Sequence, residues 1–346
     1  MRKVQTGEYR EIKPTTLGAY AERWLEGLAH LKPSARGGYT IALRRHLLPA
    51  LGDLPMAQIG AEEVNAYLAS KAGTLRPKSL VNHLAILSKI LSDAVAADRL
   101  TANRLLKNRA IRRPKAISEA DEITVEVPTL GEVNIILDAL PPAWQPFFMT
   151  LALTGLRFGE AIGLRWMDLD EENAQLAIRR SYYRGHFLLP KTKRSRRSVD
   201  LGDQLLAVLQ NLRRERFGPT LPAPGALIFV RAGRRGSPPQ ERPLNASVAR
   251  EIWLAALKQT GFRHLRMHAL RHFFASAQIA LGTNIKYIST QLGHASAQIT
   301  VDRYGHLFPD ERRVAARRLE TMLGFPAALP SGTHPAEQDV NAVPRS

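Results

Sequence analysis

The sequence predicts a mainly α-helical protein of two domains, the second carrying a small antiparallel β-sheet. Apolar residues recur at helical spacing through residues 15–105 and again beyond 245, while short β-prone segments cluster between 175 and 201. The 346 residues suffice for two ordinary domains, and 45% apolar with 23% charged residues is the composition of a folded chain.

Residues 1–14 are polar and charged and read as a flexible N-terminus. In the first domain, 15–105, Leu17, Tyr20, Ala21, Trp24, Leu25 and Leu28 form one apolar stripe, the mark of an amphipathic helix. A second helix starts near Pro33–Ser34 and ends before Gly52, with Tyr39, Leu43, Leu47 and Leu48 inward. A short third covers 61–71. The fourth carries Leu80, Leu84, Leu87, Leu91 and Val95, with Ser79 placed to cap its start. Lys32, Arg36, Arg44, Arg45, Lys71, Arg76, Lys78 and Lys89 give this domain a basic exterior. Acidic residues are fewer there and do not alternate evenly with them, so the surface reads as facing a polyanion rather than water alone.

Residues 106–127 read as a linker, basic from Lys107 to Lys115 and acidic from Glu119 to Glu126, without periodicity. Thr129 followed by Glu132 has capping-box spacing and opens the second domain, 128–325. A helix over Trp144–Leu153 stops at Gly155. Strand-like stretches follow at 175–183, 186–190 and 197–201, with Gly185 at a turn. Helices return from 203 and from 245. The Pro-, Gly- and Arg-rich stretch 218–243 lies between them, interrupted by strand-like Leu227–Val230. Residues 326–346 read as a disordered tail.

The 49 Lys and Arg against 31 Asp and Glu leave a net charge of +18, with a pI near 10.6, which points to a polyanionic partner. The absence of cysteine excludes disulfides, thiolate zinc sites and cysteine nucleophiles. No apolar run approaches the roughly 20 residues that span a bilayer, and Met1–Pro14 lacks the apolar centre of a signal peptide. No membrane partner is expected, and the expected location is the cytoplasm, in association with the nucleoid.

Four segments carry candidate chemistry. In Thr154-Gly155-Leu156-Arg157-Phe158-Gly159-Glu160, Arg157 enters a helix with a planar fork of donors suited to two phosphate oxygens, and Glu160 can brace it. Alone, this is an ordinary helix start with an ion pair. In Lys191-Thr192-Lys193-Arg194-Ser195-Arg196-Arg197, five of seven residues are basic, at a predicted hairpin. Such a loop touches phosphates, with Arg194, Arg196 and Arg197 as DNA contacts. A lysine there, Lys191 first and Lys193 second, can also protonate a departing oxygen. His268-Ala269-Leu270-Arg271-His272 opens a helix with Leu270, Phe273, Phe274, Ala277 and Leu281 inward, and His268 and Arg271 on one neighbouring stripe. His268 and His272, four apart, also suggest a metal pair, but no third ligand follows at a sensible distance. A further helix with Ile285, Ile288 and Leu292 inward ends at Gly293, leaving His294 at an exposed end. Ser296 is placed to cap the last helix, through Ile299, Thr300 and Tyr304.

Arg157 in TGLRFGE, Lys191 in the basic segment, His268 and Arg271 in HALRH, His294 in LGH and Tyr304 in TVDRYGH, in this order, resemble the tyrosine recombinase (phage integrase) family. The resemblance implies a helical core-binding, SAM-like domain and an α+β catalytic domain that close as a clamp on duplex DNA. It implies a site-specific recombinase in which Tyr304 attacks a phosphate to leave a 3′-phosphotyrosyl bond. Arg157 and Arg271 would clamp the non-bridging oxygens, and His294 would donate a further hydrogen bond. His268 would accept the tyrosine proton or bind phosphate, and Lys191 would protonate the leaving 5′ oxygen. It implies no metal, ATP or other cofactor. The implied partners are double-stranded recombination sites, a homotetramer on DNA and accessory DNA-bending factors. The helix Pro309–Leu323 is a candidate contact between protomers, and a separate N-terminal arm-binding domain is not expected. The competing readings are a type IB topoisomerase-like relaxing enzyme, a non-catalytic DNA-binding accessory protein and a basic RNA-binding protein. The last would need exposed aromatic platforms that the sequence does not suggest.

Overall fold

The computed structural model describes residues 14–31, 33–114, 127–189, 196–231, 240–307 and Met322. Lys32, Lys191, Lys193 and Arg194 lie outside the described residues, as do the expected tail and nearly all of the helix expected at Pro309–Leu323.

The first domain begins with α1 (Leu17–Gly27), whose N-cap Thr16 accepts from the Ala19 N–H at 3.3 Å. Its stripe buries Leu17, Ala21, Trp24 and Leu25. The expected second helix is α2 (Pro33–Ala42), one π-helical turn at Leu43–Leu47, and α3 (Leu48–Leu51). Pro49 has no N–H to return to the Arg45 carbonyl, so the ladder widens there while Leu43 and Leu47 stay in the core. The third helix, α4 (Ala61–Lys71), has the expected bounds. The fourth, α5 (Pro77–Ala96), starts differently: Pro77 takes the first helical position and Arg76 the cap, so Ser79 lies inside the helix and does not cap it.

The chain does not leave this domain at 105. Leu105 and Ile111 are buried in the same core as Leu17, Leu43 and Leu87. Asn65 accepts from the Arg112 N–H at 2.8 Å and donates to the Ala110 carbonyl at 2.9 Å. The start of the expected linker therefore belongs to the first core, where a lone isoleucine and an asparagine hold an aperiodic segment in place.

The second core forms around α6 (Leu130–Asp138), α7 (Gln145–Thr154) and α8 (Phe158–Ile162). The Thr129–Glu132 capping box is present. A three-stranded antiparallel sheet follows, ordered β1 (Leu169–Asp170), β2 (Gln175–Ile178), β5 (Arg197–Asp200). The hairpin of β3 (Ser181–Tyr183) and β4 (His186–Leu188) is separate and turns at Arg184 and Gly185, both with positive φ. The expected strand 175–183 breaks because Arg180 turns in to pair with buried Asp168. The basic segment was expected at a hairpin turn. Among the described residues its flanking strands do not pair with each other, since β4 pairs with β3 and β5 with β2.

Then come α9 (Asp203–Phe217), β6 (Val230–Arg231) paired with β7 (Gln240–Pro243), α10 (Ala246–Gln259), α11 (Ala269–Ala280), α12 (Ile285–Leu292) and α13 (Ala297–Tyr304). Phe148 of α7 stacks on Trp253 of α10 at 5.4 Å, while Leu270 and Phe273 of α11 close the core. Leu281, expected inward, is 77% exposed because α11 ends one residue before it. Ser296 occupies the cap position of α13 without a side-chain capping bond. Among the described residues, no helix is long and apolar enough to cross a membrane.

Candidate active site

The site is built on two helix ends. Helix α7 stops at Gly155 and α12 at Gly293, both left-handed, with φ of 61° and 64°. Close packing adds to the demand for glycine: a Cβ at Gly155 would sit 2.6 Å from the Phe274 ring, and one at Gly293 would sit 2.6 Å from Nη1 of Arg197. The last carbonyls of a helix lack partners within it and carry its negative dipole end, so they attract cations.

Three arginines answer that demand at the end of α12. Arg197 donates through Nε to the Gln291 carbonyl at 2.7 Å, Arg271 through Nη2 to the Leu292 carbonyl at 2.7 Å, and Arg157 through Nη2 to the Gly293 carbonyl at 3.4 Å. Arg271 also donates through Nη1 to the Gly155 carbonyl at 2.7 Å, tying the two helix ends together. It is buried. Burial first, and then the Arg157 charge, push its guanidinium down to about 9, which still leaves a cation at neutral pH.

Glu160 is the counter-charge. It accepts from the Arg157 backbone N–H at 3.0 Å and from Arg157 Nη1 at 3.0 Å, and from Arg197 Nη2 at 2.9 Å. Burial works to raise its carboxyl, but the Arg197 and Arg157 charges and hydrogen bonds outweigh it and hold the group below the ordinary range. Three guanidinium groups against one carboxylate leave an excess of two positive charges. The Arg157 side chain, 44% exposed, presents part of that excess to solvent. A phosphate is the anion that such an arrangement fits.

Tyr304, at the end of α13, packs among Phe274, Ala275, Ile279, Ile288 and Leu292 and is 1% exposed. Its hydroxyl lies 2.6 Å from Nδ1 of His272. Burial raises the phenol above its ordinary range, opposed by the Arg271 and Arg303 charges. Burial, and then His268, Arg303 and Arg271, push His272 down to about 3, so its ring is neutral and the phenol O–H donates to Nδ1. His294 is hydrogen-bonded through Nδ1 to Thr300 Oγ1 at 2.8 Å; burial and the surrounding arginines take it to about 3. Its Nε2 is the ring nitrogen left for a ligand.

The structure thus gathers Arg157, Glu160, Arg271, His294 and Tyr304 around α11 and the end of α12. Two expectations change. His268 was expected to take the tyrosine proton or to bind phosphate, and the first of these roles is the one that changes. It lies exposed on the rim, edge-on to His272 at 4.8 Å, and the imidazole at the Tyr304 hydroxyl belongs to His272. The reason is helical geometry: one further turn along α11 brings a side chain to the end of α13. His272 carried a signal, its spacing from His268, but that spacing pointed to a metal pair. Among the described residues, no group of three or more His, Asp or Glu side chains is placed to hold a metal ion. Arg197, expected to touch DNA, is buried between Glu160 and Gln291 with its side chain 3% exposed. Arg196 next to it is exposed. In the first domain Arg36, Arg45 and Lys78 are exposed, and exposed Arg44 pairs with Glu22 at 2.7 Å.

The profile of the phage integrase family matches residues 129–311, just over half of the chain. The chain belongs to the phage integrase family. The profile of the family's N-terminal SAM-like domain matches residues 16–65 of this chain. A "tyrosine recombinase XerC-like" protein of Caldanaerobacter subterraneus is 27% identical over 219 residues, 58% of this chain. The chain spans little more than half of that relative's length, 56%. A putative prophage phiRv2 integrase of Mycobacterium tuberculosis is 26% identical over 86% of this chain and 76% of its own. Among solved structures, the Tn1549 transposon integrase in complex with a circular intermediate DNA has the same fold, with a TM-score of 0.69 at 18% identity. The match covers 89% of this chain and 99% of that one.

Proposed function

We propose that this integrase is a site-specific DNA recombinase that cuts and rejoins strands through a covalent bond between a DNA 3′ phosphate and Tyr304. The observation that carries this reading is the placement of a tyrosine, hydrogen-bonded to a neutral histidine, at the same helix ends as three guanidinium groups, two of which share one carboxylate while the third holds both helix-end carbonyls.

In the reaction, the Tyr304 oxygen attacks phosphorus as its proton passes to Nδ1 of His272. A new P–O bond forms and the P–O5′ bond breaks. The electron pair leaves on the 5′ oxygen, which takes a proton from Lys191, or from Lys193 if that lysine is the acid. Charge building on the non-bridging oxygens is met by Arg157 and Arg271 and by a hydrogen bond from Nε2 of His294, without reorganisation at the moment of reaction. His268, on the rim, is a further phosphate ligand. Rejoining reverses these steps with a 5′ hydroxyl from the partner strand. One phosphodiester is exchanged for another, so neither ATP nor metal is consumed. Tyr304 is buried, so α13 must shift to bring its hydroxyl to DNA.

We assign DNA binding to both domains, the first from residue 15 to beyond 111 and the second over 128–325. Arg36, Arg44, Arg45 and Lys78 contact the backbone from one side, Arg194 and Arg196 from the other, with Lys32 added to the first set. Pairs of sites are joined in a homotetramer, with DNA-bending factors as possible accessories, in the compartment that holds the DNA. The test is to mix the protein with two distinguishable duplexes bearing the junctions of the element that encodes it. Recombinant products support the reading; relaxation of supercoiled plasmid without recombinants replaces it with a topoisomerase-like activity.

A further inference from the structure

The buried guanidinium of Arg197 is used by neither the clamp nor the DNA surface, yet it is built into the site floor. A cation removed this far from water is unfavourable unless it is ion-paired and hydrogen-bonded. Arg197 is both: it shares Glu160 with Arg157, and its other partner lies on the helix end that Arg157 also touches. Its Nη1 and Nη2 reach the two Glu160 oxygens at 3.3 and 2.9 Å, and the same two oxygens take the Arg157 side chain and backbone N–H. Its Nε holds the Gln291 carbonyl, two residues before the Gly293 carbonyl that receives Arg157.

The strand carrying Arg197 is fastened to the same helix end a second time. The Gln291 side chain donates to Asp200 Oδ2 at 2.7 Å and accepts from the Asp200 N–H at 3.2 Å. Asp200 lies at the far end of β5, which β2 holds in register. The missing Cβ of Gly293 makes room for the guanidinium. Arg197 therefore sits between the carboxylate that aims Arg157 and the helix end against which Arg157 rests, with no exposed face of its own.

We infer that Arg197 is a positioning residue: by holding Glu160 and the end of α12 at a fixed separation, it aims the Arg157 fork at the scissile phosphate. The inference rests on the recombinase reading. Lysine at this position keeps the charge but lacks the planar fork that spans two carboxylate oxygens and a carbonyl.

The test compares wild type with Arg197→Lys on two junction duplexes, one ordinary and one with a methylphosphonate at the cleaved position. The methyl group removes the negative charge that Arg157 neutralises. On the ordinary duplex Arg197→Lys should form the covalent adduct about 10²-fold more slowly, the scale of a small misplacement of a catalytic group, with little change in DNA binding. On the methylphosphonate duplex the two proteins should match. A wild-type rate on ordinary DNA, or an equal handicap on both duplexes, would overturn the inference, since a merely structural defect does not discriminate between the substrates. Silence of both proteins on the methylphosphonate counts against it too, because charge neutralisation is then not what the arginines supply. Should Arg197→Lys fail to fold, Arg197→Gln is read by the same ratio. Absence of any adduct from wild type on ordinary DNA would instead sink the recombinase reading itself.

Discussion

The Tyr304 hydroxyl sits 2.6 Å from Nδ1 of His272, a contact that joins the end of α13 to the second turn of α11 inside an apolar cluster. It pairs a phenol that burial makes harder to ionise with an imidazole that burial keeps unprotonated. That combination disfavours a standing phenolate, so in the proposed reaction the proton can leave the phenol only as its oxygen attacks.

Tyr304→Phe should abolish covalent adducts and leave DNA binding in place. The lost buried hydrogen bond should cost about 1 kcal/mol of stability, read as a small fall in urea midpoint. Cleavage by this variant at the wild-type rate would remove Tyr304 from its role.

His272→Ala should slow adduct formation by roughly 10²–10⁴-fold, the range for loss of a positioned base. Its remaining rate should climb about tenfold per pH unit toward the phenol range, whereas wild type stays flat from pH 6 to 8, an interval of roughly neutral conditions in which a ring taken down to about 3 is unprotonated throughout. His268→Ala should keep the wild-type profile. The opposite pattern would restore His268 as the proton acceptor.

Acid should weaken the fold before its carboxylates titrate. His272 and His294 have folded values near 3, below the ordinary value of about 6.5. The unfolded chain therefore binds protons that the folded one refuses. The stability this provides is complete above about 6.5 and is lost progressively as pH falls toward 3. The urea midpoint should drop between pH 7 and 5, and the drop should shrink in His272→Gln. An unchanged midpoint across that interval contradicts the buried neutral state of these rings.

Gly293→Ala should destabilise the second domain by roughly 1–3 kcal/mol, through a left-handed backbone that only glycine adopts freely, and should displace the Arg197 guanidinium 2.6 Å from the added carbon. Thermal melting checks the first effect and adduct kinetics the second. A variant with unchanged melting and cleavage would show that the helix end tolerates a side chain.

Local pattern made much of this legible. The Thr129–Glu132 box, the bounds of α4, the stop at Gly155 and the Arg157–Glu160 brace all depend on residues within four positions of each other. The π-turn before Pro49 was hidden because the apolar spacing passes through it unbroken. Ile111 gave no periodic signal, since one apolar side chain and the distant Asn65 amide pin that segment. Arg197 read as surface because it ends a basic run, and its burial is decided by the Gln291 carbonyl, 94 positions away. His272 met Tyr304 only through the return of α13 across α11, a tertiary event that spacing along one helix cannot report.

The most direct measurement is to trap the protein on junction DNA, denature it, digest both polymers and locate the nucleotide mass by peptide sequencing. The account predicts a 3′-phosphonucleotide on the peptide that contains Tyr304, and none in Tyr304→Phe. The same mass on another residue, or tight binding and strand breakage with no covalent mass anywhere, would contradict it.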